Sequence, residues 1–245
     1  MSYIEVVNKN QICTIKMTRL RQKNALSLQM YADLVDALDE FESNEALRVA
    51  VVQGDASCFC AGNDLKDFMS GGVLDKTHPT VRFIRRIASC NKPVVGAVAG
   101  PAVGIGTTML LHFDMVIAAD NSLFKLPFAQ LGLCPEAASS LLLPNLAGSK
   151  LAFEYLVLGR SFDALAALKM GLINEVTTPE SVLERAGETA EHIAALPLNA
   201  VKQSKALIKQ PLKEEIDRVI SQELAVFQQL LDSGEAQARI QQFFS

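Results

Sequence analysis

Short runs of apolar residues, many of them β-branched, alternate with polar turns in the first half of the chain. Val49–Gln53, Val94–Val98 and Met115–Ala119 have the length and continuous hydrophobicity of buried strands. Two further runs, Tyr3–Val7 and Ile12–Met17, flank a polar segment and predict a β-hairpin. We therefore expect the strands of the fold mainly in the first half of the sequence.

The second half of the chain has helical periodicity almost throughout, with a short strand predicted at Ile173–Val176. In the first half, Ser27 is placed to cap an amphipathic helix. Val81–Ser89 and Thr107–His112 are also predicted to be helical. The pattern indicates one α/β core with a helical C-terminal extension that begins at residue 197.

Composition and charge exclude several classes of protein. The chain has 245 residues, 49% hydrophobic and 20% charged, which is typical of a globular protein. A net charge of −4 argues against nucleic acid as the main partner. No apolar run approaches the roughly 18–20 residues that span a bilayer, so we expect no membrane contact.

The cysteines favour a reducing compartment and argue against a metal site. They are scattered and odd in number, and no pair has zinc-site spacing with a second Cys/His pair. The N-terminal segment MSYIEVVNKN has no signal-peptide core. We expect free thiols, no metal and a cytoplasmic location. The cysteines are Cys13, Cys58, Cys60, Cys90 and Cys134.

A glycine-rich turn follows the predicted strand Val94–Val98. Gly100, Gly104 and Gly106 permit a tight turn into a short helix, whose first backbone N–H groups are left unpaired. Such donors suit a phosphate or an oxyanion, although a simple packing turn is the alternative. A dinucleotide fingerprint is excluded because Met109 occupies the place of its third glycine.

One acidic residue, Glu136, lies within the long apolar segment Ser122–Gly148. An ionised carboxylate is costly to bury among apolar side chains unless it is paired. Glu136 is therefore a candidate acid/base with a raised pKa. The alternative is an exposed glutamate on a turn after Pro135.

Two polar loops are candidates for binding a charged group. The loop from Arg19 to Ser27 carries three basic residues, which either bind phosphates or are simply solvated. The turn Ala61–Asp64 places Asp64 to cap the next segment. Ser70–Pro79, with two adjacent glycines, is predicted to be a mobile surface loop.

Several motifs together resemble the enoyl-CoA hydratase/isomerase (crotonase) family. They are Cys60–Leu65 (CAGNDL) after a strand and Lys92–Gly106 (KPVVGAVAGPAVGIG). Asn24–Leu26, Ala118–Asp120 and the Gly159–Asn174 segment are similar to that family too. The resemblance covers nearly the whole chain.

The resemblance implies a crotonase-like spiral of ββα units over residues 1–196 and a helical trimerisation region over 197–245. It implies a homotrimer or a dimer of trimers that acts on an acyl-CoA, with CoA as part of the substrate and no separate cofactor. The backbone N–H groups of Asn63 and Ile105 would form an oxyanion hole. The CoA end would be held by the two polar loops, through Arg19, Lys23, Ala25, Ala61, Asp64 and Leu65.

Within this family the carboxylates distinguish the reactions. The two positions that hold glutamates in hydratases are Thr108 and Phe128 here. The segment Leu126–Glu136 instead resembles peroxisomal-type Δ3,Δ2-enoyl-CoA isomerases, whose single glutamate matches Glu136. The sequence thus predicts a Δ3,Δ2-enoyl-CoA isomerase. Other crotonase-type thioester chemistry, such as hydration or decarboxylation, and a non-catalytic acyl-CoA binder are the alternatives.

Overall fold

The computed structural model describes residues 2–70 and 72–242, and its strands form two sheets. The strands are β1 (Ile4–Lys9), β2 (Ile12–Met17), β3 (Val49–Gln53), β4 (Val94–Val98), β5 (Pro101–Val103), β6 (Met115–Ala119), β7 (Leu123–Lys125), β8 (Phe162–Asp163) and β9 (Glu175–Thr177). The helices are α1 (Leu28–Ser43), α2 (Leu65–Ser70), α3 (Pro79–Ala88), α4 (Ile105–Thr108), α5 (Ser139–Ala147), α6 (Ser149–Leu156), α7 (Ala164–Met170), α8 (Val182–Ala195), α9 (Leu198–Lys209), α10 (Lys213–Leu231) and α11 (Gly234–Gln242).

The larger sheet has the strand order β1-β2-β3-β4-β6-β9. The predicted hairpin is confirmed: β1 and β2 pair antiparallel around Asn10 and Gln11, both with positive φ. That conformation matches the right-handed twist of paired strands in a two-residue loop. All the other pairs in this sheet are parallel.

Both faces of this sheet are buried, which explains why its central strands read as continuous apolar runs. Val49 and Val51 of β3 pack with α8 on one face, while Ala50 and Val52 join the main core on the other. The face of α8 against the sheet carries alanines four residues apart, which allow a close approach: Ala186, Ala190 and Ala194.

The smaller sheet has the order β5-β7-β8 and was not predicted from the pattern of apolar residues. Its strands have three, three and two residues, too short to show a period. β4 leads into β5, and β6 into β7, so successive turns of the chain add a strand to each sheet. This is the expected spiral of ββα units.

Some element boundaries differ from the prediction. The helix after the glycine-rich turn begins at Ile105, and Met109–His112 continues as a 3-10 turn. The strand expected at Ile173–Val176 lies at Glu175–Thr177 instead. The Ser27 cap is confirmed, since its hydroxyl accepts a hydrogen bond from the Met30 N–H. Gly71, within the predicted mobile loop, lies outside the described residues.

The C-terminal helices fall into two groups. α10 buries one face in the main core, through Val219, Ile220, Leu224, Phe227 and Leu231. α9 instead leaves Leu207 and Ile208 exposed, at 68% and 78%. The proposed boundary at residue 197 stays a prediction, although α10 completes the core of this same chain. In the described part of the chain, no helix is both long and apolar enough to cross a membrane.

Candidate active site

The two turns predicted to form an oxyanion hole lie side by side. Cys60 and Ala102 form a parallel bridge, supported by hydrogen bonds from the Cys60 N–H to the Pro101 carbonyl (3.1 Å) and from the Val103 N–H to the Cys60 carbonyl (2.9 Å). Asn63 and Ile105 each lie three residues beyond this bridge. The pairing therefore carries both predicted donors to the same edge of the smaller sheet.

Backbone geometry leaves both N–H groups available. Gly62 and Gly104 precede the two donors and have φ values of 97° and 54°, which favour glycine. Ile105 is the first residue of α4, so its N–H has no partner within the helix. Among the residues that the structure describes, neither the Asn63 nor the Ile105 N–H donates a hydrogen bond to the protein. Paired free donors of this kind suit a developing oxyanion.

The turns are in very close contact at Gly106. A Cβ atom added there would lie 2.6 Å from the Cys60 carbonyl oxygen and 2.9 Å from the Cys60 Cβ. A side chain at this position would push apart the two segments that carry the donors.

Glu136 is buried, so the exposed-turn alternative is wrong. The residue is 3% exposed, and its Oε1 accepts a hydrogen bond of 2.9 Å from the Thr108 hydroxyl. Burial raises the pKa of Glu136 to about 8, and the nearby negative charge of Glu223 adds to this; the Thr108 hydrogen bond partly opposes it. Because Thr108 belongs to the same short helix as Ile105, the carboxylate is tied to the oxyanion turn.

Tyr31 supports the other turn, a role that the helical periodicity after Ser27 does not indicate. Its ring is fully buried on α1, in contact with Phe83, and its hydroxyl donates to Asn63 Oδ1. Burial, and then the negative charge of Glu136, raise the pKa of Tyr31, so its hydroxyl stays protonated. The hydrogen bond orients the Asn63 side chain and, through it, the turn.

The residues predicted to hold CoA are brought together. The loop Lys23–Leu26 runs along the turn Ala61–Asp64, with the Ala61 N–H bonded to the Lys23 carbonyl and the Asp64 N–H to the Leu26 carbonyl, each at 2.9 Å. Leu65 follows as the first residue of α2. The two polar loops therefore form one unit beside the oxyanion turns.

Within this unit the basic residues differ in their surroundings. Arg19 Nη1 donates to Asp64 Oδ2 (2.6 Å) and to the Ala25 carbonyl (2.9 Å), so its charge is already paired. The Lys23 side chain is exposed. The CoA-binding roles stay predictions, with Lys23 the better placed to reach a phosphate.

Asn24 explains why this unit holds together, and sequence reasoning recognised it only as part of a motif. It is buried with a positive φ of 55°, and its Nδ2 donates to the carbonyls of Cys58 and Phe59 at 3.2 Å. Asparagine tolerates this left-handed conformation better than most residues. In the described residues, no group of three or more His, Cys, Asp or Glu side chains is arranged to hold a metal ion.

The chain belongs to the enoyl-CoA hydratase/isomerase family, whose model matches residues 7–245. It is 34% identical over 229 residues to mouse peroxisomal enoyl-CoA delta isomerase 3, covering 91% of this chain and 72% of that protein. With rat enoyl-CoA delta isomerase 2 the identity is 36%, over 90% of this chain and 58% of the relative. The chain thus spans little more than half the length of the rat protein.

Solved structures agree on the crotonase fold. The structure of Pseudomonas aeruginosa OdaA matches with a TM-score of 0.97 and 39% identity, covering 99% of both chains. Relatives with other names match as well: an enoyl-CoA hydratase of Alternaria alternata is 35% identical over 75% of this chain and 63% of its own length. The protein is therefore an enzyme of this family, and its particular reaction has to be argued from the site.

The contact at Gly106 generates the first prediction. Gly106→Ala should destabilise the protein by about 1–3 kcal/mol, because the new methyl group has no room against Cys60. Gly187→Ala, in α8 with open space around the site, is the matched control and should change stability by less than about 1 kcal/mol, in the stabilising direction. Urea unfolding of both variants measures this. Equal stabilities for the two would contradict the tight contact.

Proposed function

We propose that the protein is a Δ3,Δ2-enoyl-CoA isomerase, which moves a double bond from the 3-position of an acyl-CoA to the 2-position. The observation that carries the proposal is the single buried carboxylate of Glu136, hydrogen-bonded to the helix that begins the oxyanion turn. A cytoplasmic location stays a prediction.

The reaction requires one base and one oxyanion hole. Glu136 takes a proton from C2, and the electrons of that C–H bond pass into a dienolate whose charge lies on the thioester oxygen. The N–H groups of Asn63 and Ile105 stabilise that charge. Glu136 then returns the proton to C4, and the double bond settles between C2 and C3. The carboxylate ends in its starting state, so no water or further reactant is consumed.

The environment of Glu136 suits this shuttle. A pKa near 8 lies close to neutral pH, where a group can both accept and return a proton efficiently. The Thr108 hydroxyl fixes one carboxylate oxygen and leaves the other for the substrate. Burial also keeps water from competing for the intermediate.

Hydration is the principal alternative within the family. By the resemblance, it uses two glutamates at the positions of Thr108 and Phe128. Thr108 is occupied in orienting Glu136, and Phe128 is buried in the main core. Among the described residues, Glu223 is the other buried acidic side chain, and three donors of one turn occupy its carboxylate. The site therefore favours isomerisation over water addition.

Removing the base tests the proposal directly. Glu136→Gln keeps the size of the side chain and should lower kcat by at least about 100-fold, because general acid–base catalysis contributes 10²–10⁴-fold. In the parent, kcat/KM should rise with pH and level off above about 8, since only the ionised carboxylate accepts the proton. The assay follows the absorbance of the conjugated 2-enoyl thioester formed from a 3-enoyl-CoA.

Glu180 is exposed, so Glu180→Gln is the matched control and should have the kcat of the parent. If the folded Glu136→Gln protein isomerises the substrate at the parent rate, the proposal is wrong. Conversion of a 2-enoyl-CoA to a 3-hydroxyacyl-CoA at a comparable rate would favour hydration instead.

The CoA-binding unit generates a second test. Lys23→Gln should raise KM several-fold with little change in kcat, because a phosphate contact stabilises the ground and transition states alike. Arg19→Gln should in addition lower kcat, since it breaks the ion pair to Asp64 beside the Asn63 donor. Lys169→Gln, exposed on α7, is the control. Unchanged KM values for both loop variants would rule out this unit as the CoA site.

We further propose a homotrimer or a dimer of trimers. Large apolar side chains on α6, α7 and α9 are exposed in the single chain, and contact with a second copy of the chain would bury them. They include Phe153 (58%), Leu165 (67%), Leu207 (68%) and Ile208 (78%). Light scattering should give three or six times the 26.6 kDa mass of the chain. A stable monomer mass would refute this.

A further inference from the structure

The turn that carries Glu136 has an unfavourable backbone conformation. The two residues after Glu136, Ala137 and Ala138, have φ values of 58° and 57°. Alanine rarely adopts this left-handed region, because its Cβ approaches the backbone too closely. Two such residues in succession persist only where surrounding contacts hold them.

Glu223, on α10, hydrogen-bonds to this turn and to the residue that follows it. Its Oε2 accepts a hydrogen bond from the Ala138 N–H (2.6 Å), and its Oε1 accepts from the Ser140 N–H (2.9 Å) and the Ser140 hydroxyl (2.5 Å). These donors lie at the start of α5, whose N-cap residue, Ala138, cannot cap the helix with its own side chain. The Glu223 carboxylate, from the distant helix α10, therefore caps the N-terminus of α5.

His112, which precedes the turn in the sequence, also contacts it. Its Nε2 lies 2.8 Å from the Ala137 carbonyl oxygen, which can only accept, so Nε2 carries the hydrogen. Burial lowers the pKa of His112 to about 4, which keeps the ring neutral at physiological pH. The Lys209 ammonium donates to the His112 carbonyl (2.5 Å) and fixes the backbone of the histidine.

We propose that Glu223 and His112 are positioning residues that hold the Glu136-Ala137-Ala138 turn so that the carboxylate faces Thr108 and the oxyanion turns. The inference rests on the proposed role of Glu136 as the base. Glu223 is 7% exposed, and among the described residues no lysine or arginine forms an ion pair with it. Burying a carboxylate without a neighbouring cation costs free energy, because no ion pair offsets its desolvation. A neutral side chain could cap a helix without that cost.

Glu223 also acts on Glu136 through its charge. Among the described residues, the titratable side chains that interact electrostatically with Glu136 include Tyr31 on α1, Cys60 after β3, Cys134 on the preceding loop and Glu223 on α10. Burial raises the pKa of the tyrosine and of both cysteines, so these three are neutral at physiological pH. Glu223 is the other carboxyl group, and its negative charge, when it is ionised, raises the pKa of Glu136. Burial raises the pKa of Glu223 as well, and its hydrogen bonds to Ser140 and Ala138 oppose that shift.

The test compares Glu223→Gln with Glu214→Gln, an exposed glutamate on the same helix. Glu223→Gln should lower kcat at least about 10-fold with KM nearly unchanged, because a displaced catalytic group loses rate rather than binding. The acidic limb of the pH–kcat/KM profile should move to lower pH, since removal of the Glu223 charge lowers the pKa of Glu136. Glu214→Gln should change neither quantity.

His112 gives a second pair of variants should Glu223→Gln fold poorly. His112→Gln keeps an N–H donor for the Ala137 carbonyl and should retain most of the parent kcat, whereas His112→Leu lacks a donor and should lose at least about 10-fold. Parent-like kcat in both Glu223→Gln and His112→Leu, or an unshifted pH profile in the former, would overturn the proposal.

Amide hydrogen exchange separates this inference from the proposed function. Glu223→Gln leaves one acceptor oxygen where the carboxylate has two, so exchange should speed up at the Ala138 or the Ser140 amide, whatever reaction the enzyme catalyses. If Glu136→Gln is silent while either amide loses protection, the proposed base is wrong, and with it the role assigned to the two positioning residues. If Glu136→Gln is inactive and both amides stay protected in Glu223→Gln, only the positioning role fails.

Discussion

Burial of the Glu136 carboxylate is the interaction on which the rest of the site depends. Desolvation raises its pKa from 4.5 to about 8, so the folded protein binds this proton more tightly than the unfolded chain does. The stability that the protonated group allows is full below about pH 4.5 and is lost as the pH rises toward 8. Burial of Glu136, which suits it to the proposed role of base near neutral pH, therefore also destabilises the fold there, and the contacts around the carboxylate have to offset that cost.

In the proposed mechanism, the oxyanion turns act through backbone groups, whereas the base is a side chain. Their donors are N–H groups fixed by Gly62, Gly104 and the bridge between Cys60 and Ala102, so they do not depend on which side chains follow. By the resemblance, the positions of the carboxylates around these donors distinguish the reactions of the family. Here Thr108 gives its hydroxyl to Glu136 at a position where, by resemblance, a hydratase has a glutamate. Relatives named as an isomerase and as a hydratase are both similar in sequence to this chain.

The sequence predicted those features that depend on neighbouring residues. The central strands, the hairpin, the Ser27 cap and the glycine-rich turn all follow from local pattern. The strands of the smaller sheet were missed because two or three residues show no period. The contact between Glu223 and Ala138 joins residues 85 apart, and the Arg19–Asp64 pair joins residues 45 apart. Contacts between such distant residues depend on tertiary packing, so the hydrophobic periodicity of the sequence does not predict them.

Glu223 also changes how the C-terminal region should be understood. α10 buries an apolar face in the core that the sheet shares with α1 and α3, and from that anchored helix it extends the carboxylate that caps the Glu136 turn. Packing therefore fixes the position of Glu223, and Glu223 in turn fixes a turn that alanine would otherwise avoid. A region that the sequence presents as an extension beyond residue 197 thus completes the site formed by the spiral. Residues of the spiral, Thr108 and His112, and a residue of α10 therefore all contact Glu136 or the turn that carries it.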